Sequence, residues 1–210
     1  MSKKLDRASL VKEICKAARL YKEHLVGSRF LYAFDNRYIE VIYKVANFKH
    51  LTGVETNLSA KKFYEYAVKN QLQASQIHFS AQHPYSLCTR KIKHICQIAT
   101  LASSECFMLE EIKTNTQTYK FGTTDLNFSL CMNKELDGNG EAKDDCYIVQ
   151  SLRDEDCFSR SKSAYVVTHI LSRKNDEKVY TELRYISQSS AIDDLSDEIL
   201  AMVDLNAFTL

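Results

Sequence analysis

Three side chains that can move a proton or stabilise negative charge lie within one short segment, NFKHLTG at residues 47–53. His50 carries an imidazole, which titrates near neutral pH and can accept or donate a proton. Lys49 can stabilise the charge that develops on a phosphate or carbonyl oxygen, and Thr52 adds a hydroxyl. The same residues also fit a loop in which His50 caps a backbone group and Gly53 makes the turn. The residue types alone allow both interpretations.

A second segment, YIVQSLR at residues 147–153, ends a predicted strand and carries groups that bind phosphate. From the end of a strand, Ser151 and Arg153 could both reach a phosphate oxygen. The alternative is an ordinary strand that runs into the charged turn at residues 154–156.

A predicted helix has a basic face that could follow a nucleic-acid backbone, because Lys and Arg side chains neutralise phosphates. The face consists of Arg90, Lys91, Lys93 and His94. A solvated helix surface has the same composition, so this interpretation also stays open.

The histidines and cysteines between residues 78 and 96 do not have the spacing of a tetrahedral zinc site. They are His78, His83, Cys88, His94 and Cys96. The chain also has no dinucleotide-binding, P-loop, nucleophile-elbow or H-E-x-x-H motif. We therefore predict no bound metal and no cofactor, and most common enzyme classes are disfavoured.

Apolar residues at helical spacing predict three helices in the first half of the chain. These helices cover about residues 10–25, 59–71 and 87–103. Between the first two helices, β-branched and aromatic residues at 30–34 and 38–45 flank Asp35-Asn36 and predict a β-hairpin.

Six strand-like segments with no helix between them follow residue 105, which predicts an antiparallel sheet. They cover residues 106–112, 116–121, 126–132, 146–152, 165–173 and 178–186. A final acidic segment at residues 192–205 has apolar side chains on one side and predicts a short helix. The fold class is therefore α+β, with one domain over residues 1–188 and an acidic C-terminal tail or helix over residues 189–210.

Composition and charge exclude several classes of protein. The 210 residues are 45% hydrophobic and 26% charged, which excludes disordered, collagen-like and coiled-coil proteins. The 28 basic and 27 acidic side chains nearly cancel, but no basic residue follows Arg184, whereas five acidic residues do. The acidic tail could shield a modestly basic body as a polyanion would, or it could simply pack as a terminal helix.

The sequence predicts a cytoplasmic location. The N-terminal residues are too polar for a signal peptide, and no segment has the apolar length of a membrane span. The seven cysteines have no C-x-x-C spacing and are expected to be reduced thiols. We therefore expect no membrane partner.

Two motifs give the chain a family resemblance. Residues 48–54 read F-x-H-L-x-G-[IV] directly after a predicted strand, and Tyr147, Ser151 and Leu152 form a Tyr…Ser-Leu pattern on a later strand. Together they resemble the fourth phage-type group of the Barnase–EndoU–colicin–RelE nuclease superfamily, over residues 10–186. A proline often seen inside the second pattern is absent from this chain.

The resemblance implies N-terminal helices packed on a curved, mostly antiparallel sheet. It also implies a metal-independent endoribonuclease-like site in a phage- or mobile-element-associated protein that acts as a toxin or in host–phage conflict. In such a site His50 is the base or acid, and Thr52 orients His50 or the phosphate. Ser151 and Tyr147 would bind or protonate the substrate from the sheet. Lys120 or Arg153 would neutralise charge, and Lys49 would contact the substrate.

Two other functions stay open at this level. The sequence offers no obvious second catalytic histidine in a polar loop, because His169 lies on a mostly apolar strand face that favours a core or interface position. That observation favours an inactive binding protein that sequesters a protein, RNA or nucleotide. A weaker alternative is ADP-ribosyl transfer. The expected partners are RNA and a protein target or inhibitor, and the sequence makes no prediction of oligomeric state.

Overall fold

The computed structural model describes residues 6–208, with five α-helices and nine β-strands in that range. The helices are α1 (Arg7–His24), α2 (Phe48–Thr52), α3 (Ala60–Val68), α4 (Tyr85–Leu101) and α5 (Asp197–Leu200). The strands are β1 (Ser28–Phe34), β2 (Arg37–Ile42), β3 (Phe107–Lys113), β4 (Thr118–Thr124), β5 (Ser129–Leu136), β6 (Ala142–Arg153), β7 (Ser163–Val166), β8 (His169–Lys174) and β9 (Glu182–Ile186).

Helix α1 shows how the sequence pattern becomes structure. Its buried side includes Ile14, Ala18 and Tyr21, three or four residues apart, which places them on one face of the helix. The carboxylate of Asp6 caps its first turn by accepting a hydrogen bond of 2.8 Å from the backbone N–H of Ser9. The buried face packs against α3 and α4.

All nine strands belong to one sheet, in the order β7-β3-β4-β5-β6-β2-β1-β8-β9. Neighbouring strands are antiparallel except β2 and β6, which are parallel and pair only at Val41 with Tyr147 and at Ile42 with Ile148. The short parallel pairing joins the N-terminal hairpin to the later strands, and it places β6 beside the chain that leads into α2.

The sheet is strongly curved. Phe34 on β1 and Phe121 on β4 are separated by three strands in the sheet order, yet their ring centroids lie 5.9 Å apart. Residues 163–174 belong to both ends of the sheet, because β7 pairs with β3 and β8 pairs with β1. At the junction, the backbone N–H of Val167 donates to the carbonyl of Cys106, just before β3, at 3.1 Å. The N–H of Thr168 donates to the carbonyl of Ala33 in β1 at 2.9 Å.

Helices α1 to α4 cover the concave face of this sheet, where the main core lies. The convex face carries two smaller apolar clusters. In one, Leu195 and Ile199 of the C-terminal tail pack on Leu31 and Leu171 of β1 and β8. In the other, the segment that begins at Cys157 packs on β3, β4 and β5. The acidic tail, which contains α5, therefore docks through its apolar side chains on the face opposite α1 to α4.

The α+β class with N-terminal helices on a curved, mostly antiparallel sheet is confirmed. Some boundaries differ from the prediction. The strand predicted to begin at residue 126 begins at Ser129, because Leu126 has a φ of +77° in a turn that ends β4. The strand predicted across 165–173 is interrupted between β7 and β8. The predicted short acidic C-terminal helix is present, but within residues 192–205 the α-helix covers only the four residues of α5.

None of the helices in residues 6–208 is long and apolar enough to cross a membrane.

Candidate active site

The segment that carries His50 is fixed in place by its buried apolar side chains and by a hydrogen bond to strand β6. Phe48 and Leu51 are fully buried in the main core, so the short helix α2 lies flat on the molecule. The side chain of Asn47 donates a hydrogen bond of 2.8 Å to the carbonyl of Val149 on β6. As a result, His50 lies on the outer side of α2 and is exposed to solvent.

His50 opens into a surface hollow of about 310 Å³. The residues around the hollow come from α2, from the chain that follows it and from the loop before α4. They are Lys49, His50, Gly53, Val54, Glu55, Thr56, Gln82 and His83. The hollow thus combines two imidazoles, one ammonium group, one hydroxyl and one carboxylate.

The second imidazole, His83, reaches the hollow because two backbone contacts bring its loop against α2. Glu55 and His78 exchange backbone hydrogen bonds of 3.1 and 2.8 Å, which ties the start of the loop to the end of α2. The loop is closed by Ser80, whose hydroxyl accepts from His83 N–H at 3.1 Å. His83 Nδ1 lies 3.7 Å from Glu55 Oε1, close enough for the carboxylate to orient the ring.

The charge state of His50 suits a base. Partial burial and the neighbouring charge of Lys49 lower the pKa of His50 below its ordinary value, since both disfavour the imidazolium form. At neutral pH the ring is therefore largely neutral and can accept a proton.

Thr52 does not line the hollow. Its side chain is fully buried and donates a hydrogen bond of 2.7 Å to the carbonyl of Lys49. It also accepts a bond of 3.2 Å from Val54 N–H, so the hydroxyl fixes the end of α2. The hydroxyl that does line the hollow belongs to Thr56.

Ser151 and Tyr147 lie on β6, outside the lining of the hollow. Ser151 pairs with Cys131 on β5. The next residue, Leu152, faces the helices with its partner Leu130, and successive side chains on a strand point to opposite faces. Ser151 therefore lies on the convex side of the sheet, as Cys131 does. Tyr147 lines a separate groove of about 460 Å³ on the sheet, with its ring 5.0 Å from that of Phe121.

Lys120 also lies away from the hollow, on β4. Its ammonium group is 3.4 Å from Glu110 and 3.5 Å from Glu111. Burial alone would lower the pKa of Lys120, but the two carboxylates together outweigh it and raise that pKa above its ordinary value. His169 is buried under the tail, where Nε2 donates to the carbonyl of Ala191 at 3.0 Å.

The basic residues of α4 differ from one another in their surroundings. Arg90 and His94 both pair with Asp154, and the His94 ring stacks on Phe128 with centroids 4.7 Å apart. Lys93 is exposed to solvent. Lys91, in contrast, is buried and packs its stem against Gly53, which lines the hollow. Of the predicted binding residues on this helix, Lys91 is therefore the one in contact with the wall of the hollow.

Within residues 6–208, no three His, Cys, Asp or Glu side chains lie close enough together to hold a metal ion.

A family model matches most of the chain. The model for phage-Barnase-EndoU-ColicinE5/D-RelE like nuclease 4 covers residues 13–189, from α1 to the residues that follow β9. The chain belongs to this nuclease family. The resemblance predicted from the two motifs is therefore confirmed, and both motifs lie inside the matched range. No curated protein and no solved structure matches the chain.

Membership of the phage-associated nuclease family gives the hollow a chemical context. Nucleases that work without a metal need a base, an acid and a cation near the phosphate. Sequence reasoning identified His50 and Lys49, which are neighbours in the chain. It did not identify His83 as their partner, because that loop reaches α2 through tertiary contacts such as the Glu55–His78 backbone pairing.

Proposed function

We propose that this phage-associated nuclease is an endoribonuclease whose active site is the hollow around His50. The observation that supports the proposal most strongly is the presence of two imidazoles, His50 and His83, and the Lys49 ammonium in one solvent-open hollow. A base on one side of the phosphate and an acid on the other are what cleavage through a ribose 2′-hydroxyl requires.

In the proposed reaction, His50 accepts the proton of a ribose 2′-hydroxyl, and the 2′-oxygen forms a bond to the adjacent phosphorus. The bond between phosphorus and the 5′-oxygen breaks, and His83 donates a proton to that leaving oxygen. Lys49 stabilises the negative charge on the phosphorane. The products are a 2′,3′-cyclic phosphate and a free 5′-hydroxyl, and the two histidines have exchanged their protonation states.

The test is cleavage of a synthetic RNA in the presence of EDTA, with mass spectrometry of the products. We expect 2′,3′-cyclic phosphate ends, and no cleavage of DNA of the same sequence, which lacks the 2′-hydroxyl. His50→Ala and His83→Ala should each lower the rate by about 10²–10⁴-fold, the usual contribution of a general acid or base.

His78→Ala is the matched control, because His78 is exposed on the same loop but does not line the hollow. It should cleave RNA at the wild-type rate. Normal cleavage by a folded His50→Ala protein contradicts the proposal, as does a wild-type protein that binds RNA without cutting it.

We further propose that the nuclease acts on cytoplasmic RNA as a toxin in conflict between phage and host. The phage association of the family supports this role. The seven cysteines are all free thiols, which supports action in a reducing compartment. This role is tested by inducing expression in bacteria. The wild-type protein should arrest growth, and equal expression of His50→Ala should not.

A further inference from the structure

The groove that Tyr147 lines exists because two neighbouring strands separate. Strands β2 and β6 pair only at Val41 with Tyr147 and at Ile42 with Ile148. Before these residues the strands diverge, and the gap between them forms a groove of about 460 Å³. Its lining residues lie on β2, β4, β5 and β6. The groove therefore has a rigid floor built from four strands of the sheet.

The groove and the hollow lie on the same side of the sheet. Tyr147 packs against the main core, which lies on the concave, helix-covered side. Asn47, at the start of α2, is bonded to the carbonyl of Val149, two residues from Tyr147 along β6 and on the same face of that strand. Arg153, in contrast, lies over the ring of Tyr119 on the convex side. Of these two residues of β6, Tyr147 is the one on the side where an RNA strand in the hollow would lie.

Two aromatic rings meet in the groove. The ring of Tyr147 contacts that of Phe121 edge-on, with centroids 5.0 Å apart and planes at 87°. Phe121 is buried, whereas Tyr147 is partly exposed. An edge-on contact occupies one face of only one ring, so an aromatic face remains for a flat ligand.

The charges in the groove favour a neutral ligand over a phosphate. Arg37 pairs with Glu110 and Lys134 pairs with Asp145, both at 3.0 Å. Each cation of the lining therefore already has its anion within the protein. The Lys134 ammonium also lies 5.8 Å from the centroid of the Tyr147 ring, and its flexible stem lets it move aside when a ligand stacks there.

The edge of β2 offers hydrogen-bonding groups to the same gap. Asp35 and Asn36 have φ values of +50° and +54°, as in a two-residue hairpin turn, so Phe34 and Arg37 form the hydrogen-bonded pair that closes the hairpin. Because such pairs alternate along an antiparallel ladder, the backbone N–H and C=O of Tyr38 point away from β1. Within residues 6–208, no strand pairs with Tyr38 on that edge.

We propose that this groove binds one unpaired base of an RNA strand, which stacks on the ring of Tyr147 and forms hydrogen bonds with the backbone N–H and C=O of Tyr38. Each RNA base presents a donor and an acceptor side by side on its pairing edge, and single-stranded RNA is recognised by stacking and by this edge. The assignment rests on the proposed endoribonuclease function. It makes the substrate single-stranded, because a base within a duplex has neither a free face nor a free pairing edge.

The test measures the Kd of an uncleavable RNA oligonucleotide with 2′-O-methyl riboses, in which one base at a time is removed. Removal of the base that occupies the groove should weaken binding to the wild-type protein by roughly 10-fold, the usual effect of one stacked base. Tyr147→Leu should weaken binding of the complete oligonucleotide by a similar factor. Removal of the same base should then cost Tyr147→Leu less than about 2-fold, because the two changes remove one contact.

Two control variants separate stacking from stability. Tyr147→Phe keeps the ring and should bind within about 2-fold of wild type. Tyr66→Leu removes a partly buried tyrosine of α3 that lines neither the hollow nor the groove, and it should leave the Kd unchanged. A wild-type experiment requires no variant to fold. An oligonucleotide that carries 5-iodouracil at the sensitive position should cross-link to Tyr147 under ultraviolet light, as identified by mass spectrometry.

The outcomes for the groove and for the nuclease are separate. If the base and Tyr147 are coupled and cross-linked but the protein does not cleave RNA, the base site stands and the nuclease function fails. If the protein cleaves RNA but no base is coupled or cross-linked to Tyr147, the base site is refuted and the nuclease function stands. Equal binding of duplex and single-stranded RNA also refutes the base site. In both cases of refutation the groove is left as a surface for a protein partner.

Discussion

The imidazole of His50 shares the hollow with the ammonium group of Lys49, the imidazole of His83 and the carboxylate of Glu55. Burial and Lys49 both lower the pKa of His50. A base must be neutral to act, so the rate of cleavage should rise as the pH rises through this pKa.

Lys49→Met removes one cause of the lowered pKa. We expect the acid limb of the pH profile of kcat/KM to move to higher pH, because the pKa of His50 moves back towards its ordinary value. The maximal rate should also fall by roughly 10²-fold, since a charge that stabilises the phosphorane is lost. Lys62→Met, which alters an exposed lysine on α3, should change neither quantity. An unchanged acid limb in Lys49→Met would show that His50 is not the titrating base.

For individual residues, the sequence identified the functional groups that are neighbours in the chain. Lys49 and His50 could be assigned together because they lie in one segment. Thr52 has the right residue type, but its hydroxyl is used by the backbone at the end of α2. His83 could not be paired with His50 from the sequence, because their proximity depends on backbone hydrogen bonds between Glu55 and His78.

Helix α2 ends at Gly53, which is part of the wall of the hollow. Gly53 has a φ of +72°, and a Cβ added to it would lie 3.2 Å from Lys91 Cδ. Gly53→Ala combines a left-handed backbone with a tight side-chain contact. We expect it to lower the free energy of unfolding by roughly 1–3 kcal/mol, as measured by denaturant titration.

Gly138→Ala is the control for this prediction. Gly138 lies in the turn between β5 and β6, and a Cβ there meets no atom within 4 Å. The stability of this variant should stay within about 0.5 kcal/mol of wild type. Equal stability of the two variants would show that the end of α2 tolerates a side chain.

The types of most elements could be predicted because periodicity depends on which side of an element is buried. Their boundaries depended on single residues that the pattern does not mark. Leu126 fits an apolar strand, but the hydroxyl of Thr124 accepts its backbone N–H at 3.1 Å and the carboxylate of Asp125 accepts that of Asn127 at 3.0 Å, which forms a turn. The interruption before His169 arises because the chain changes strand partner there.

At the scale of the whole molecule, the tail lies on the convex face and the hollow lies on the helix-covered side. The tail therefore contributes to stability rather than covering the hollow. Leu195→Ala removes a side chain that is 6% exposed, and should lower the free energy of unfolding by about 2–3 kcal/mol. Leu205→Ala is the control, because Leu205 is 51% exposed, and its effect should stay within about 0.5 kcal/mol.

Neither tail variant should change the Kd for a 2′-O-methyl RNA oligonucleotide, which has no free 2′-hydroxyl and cannot be cleaved. Tighter binding by folded Leu195→Ala protein would instead support the hypothesis that the acidic tail shields the basic body. The tail could be predicted to pack through its apolar residues. The face of the sheet that the tail covers could not be predicted, because the curvature of the sheet depends on contacts between strands that are far apart in the chain.

The segment of residues 163–174 affects how a newly made chain completes its fold. Until this segment leaves the ribosome, β1 and β3 each lack one of their two strand partners, and only the short pairing between β2 and β6 joins the N-terminal hairpin to the later strands. Pairings between residues so distant in sequence form slowly. The protein is therefore expected to complete its sheet only after residue 174 has been made, a delay during which other proteins can bind the unfinished chain.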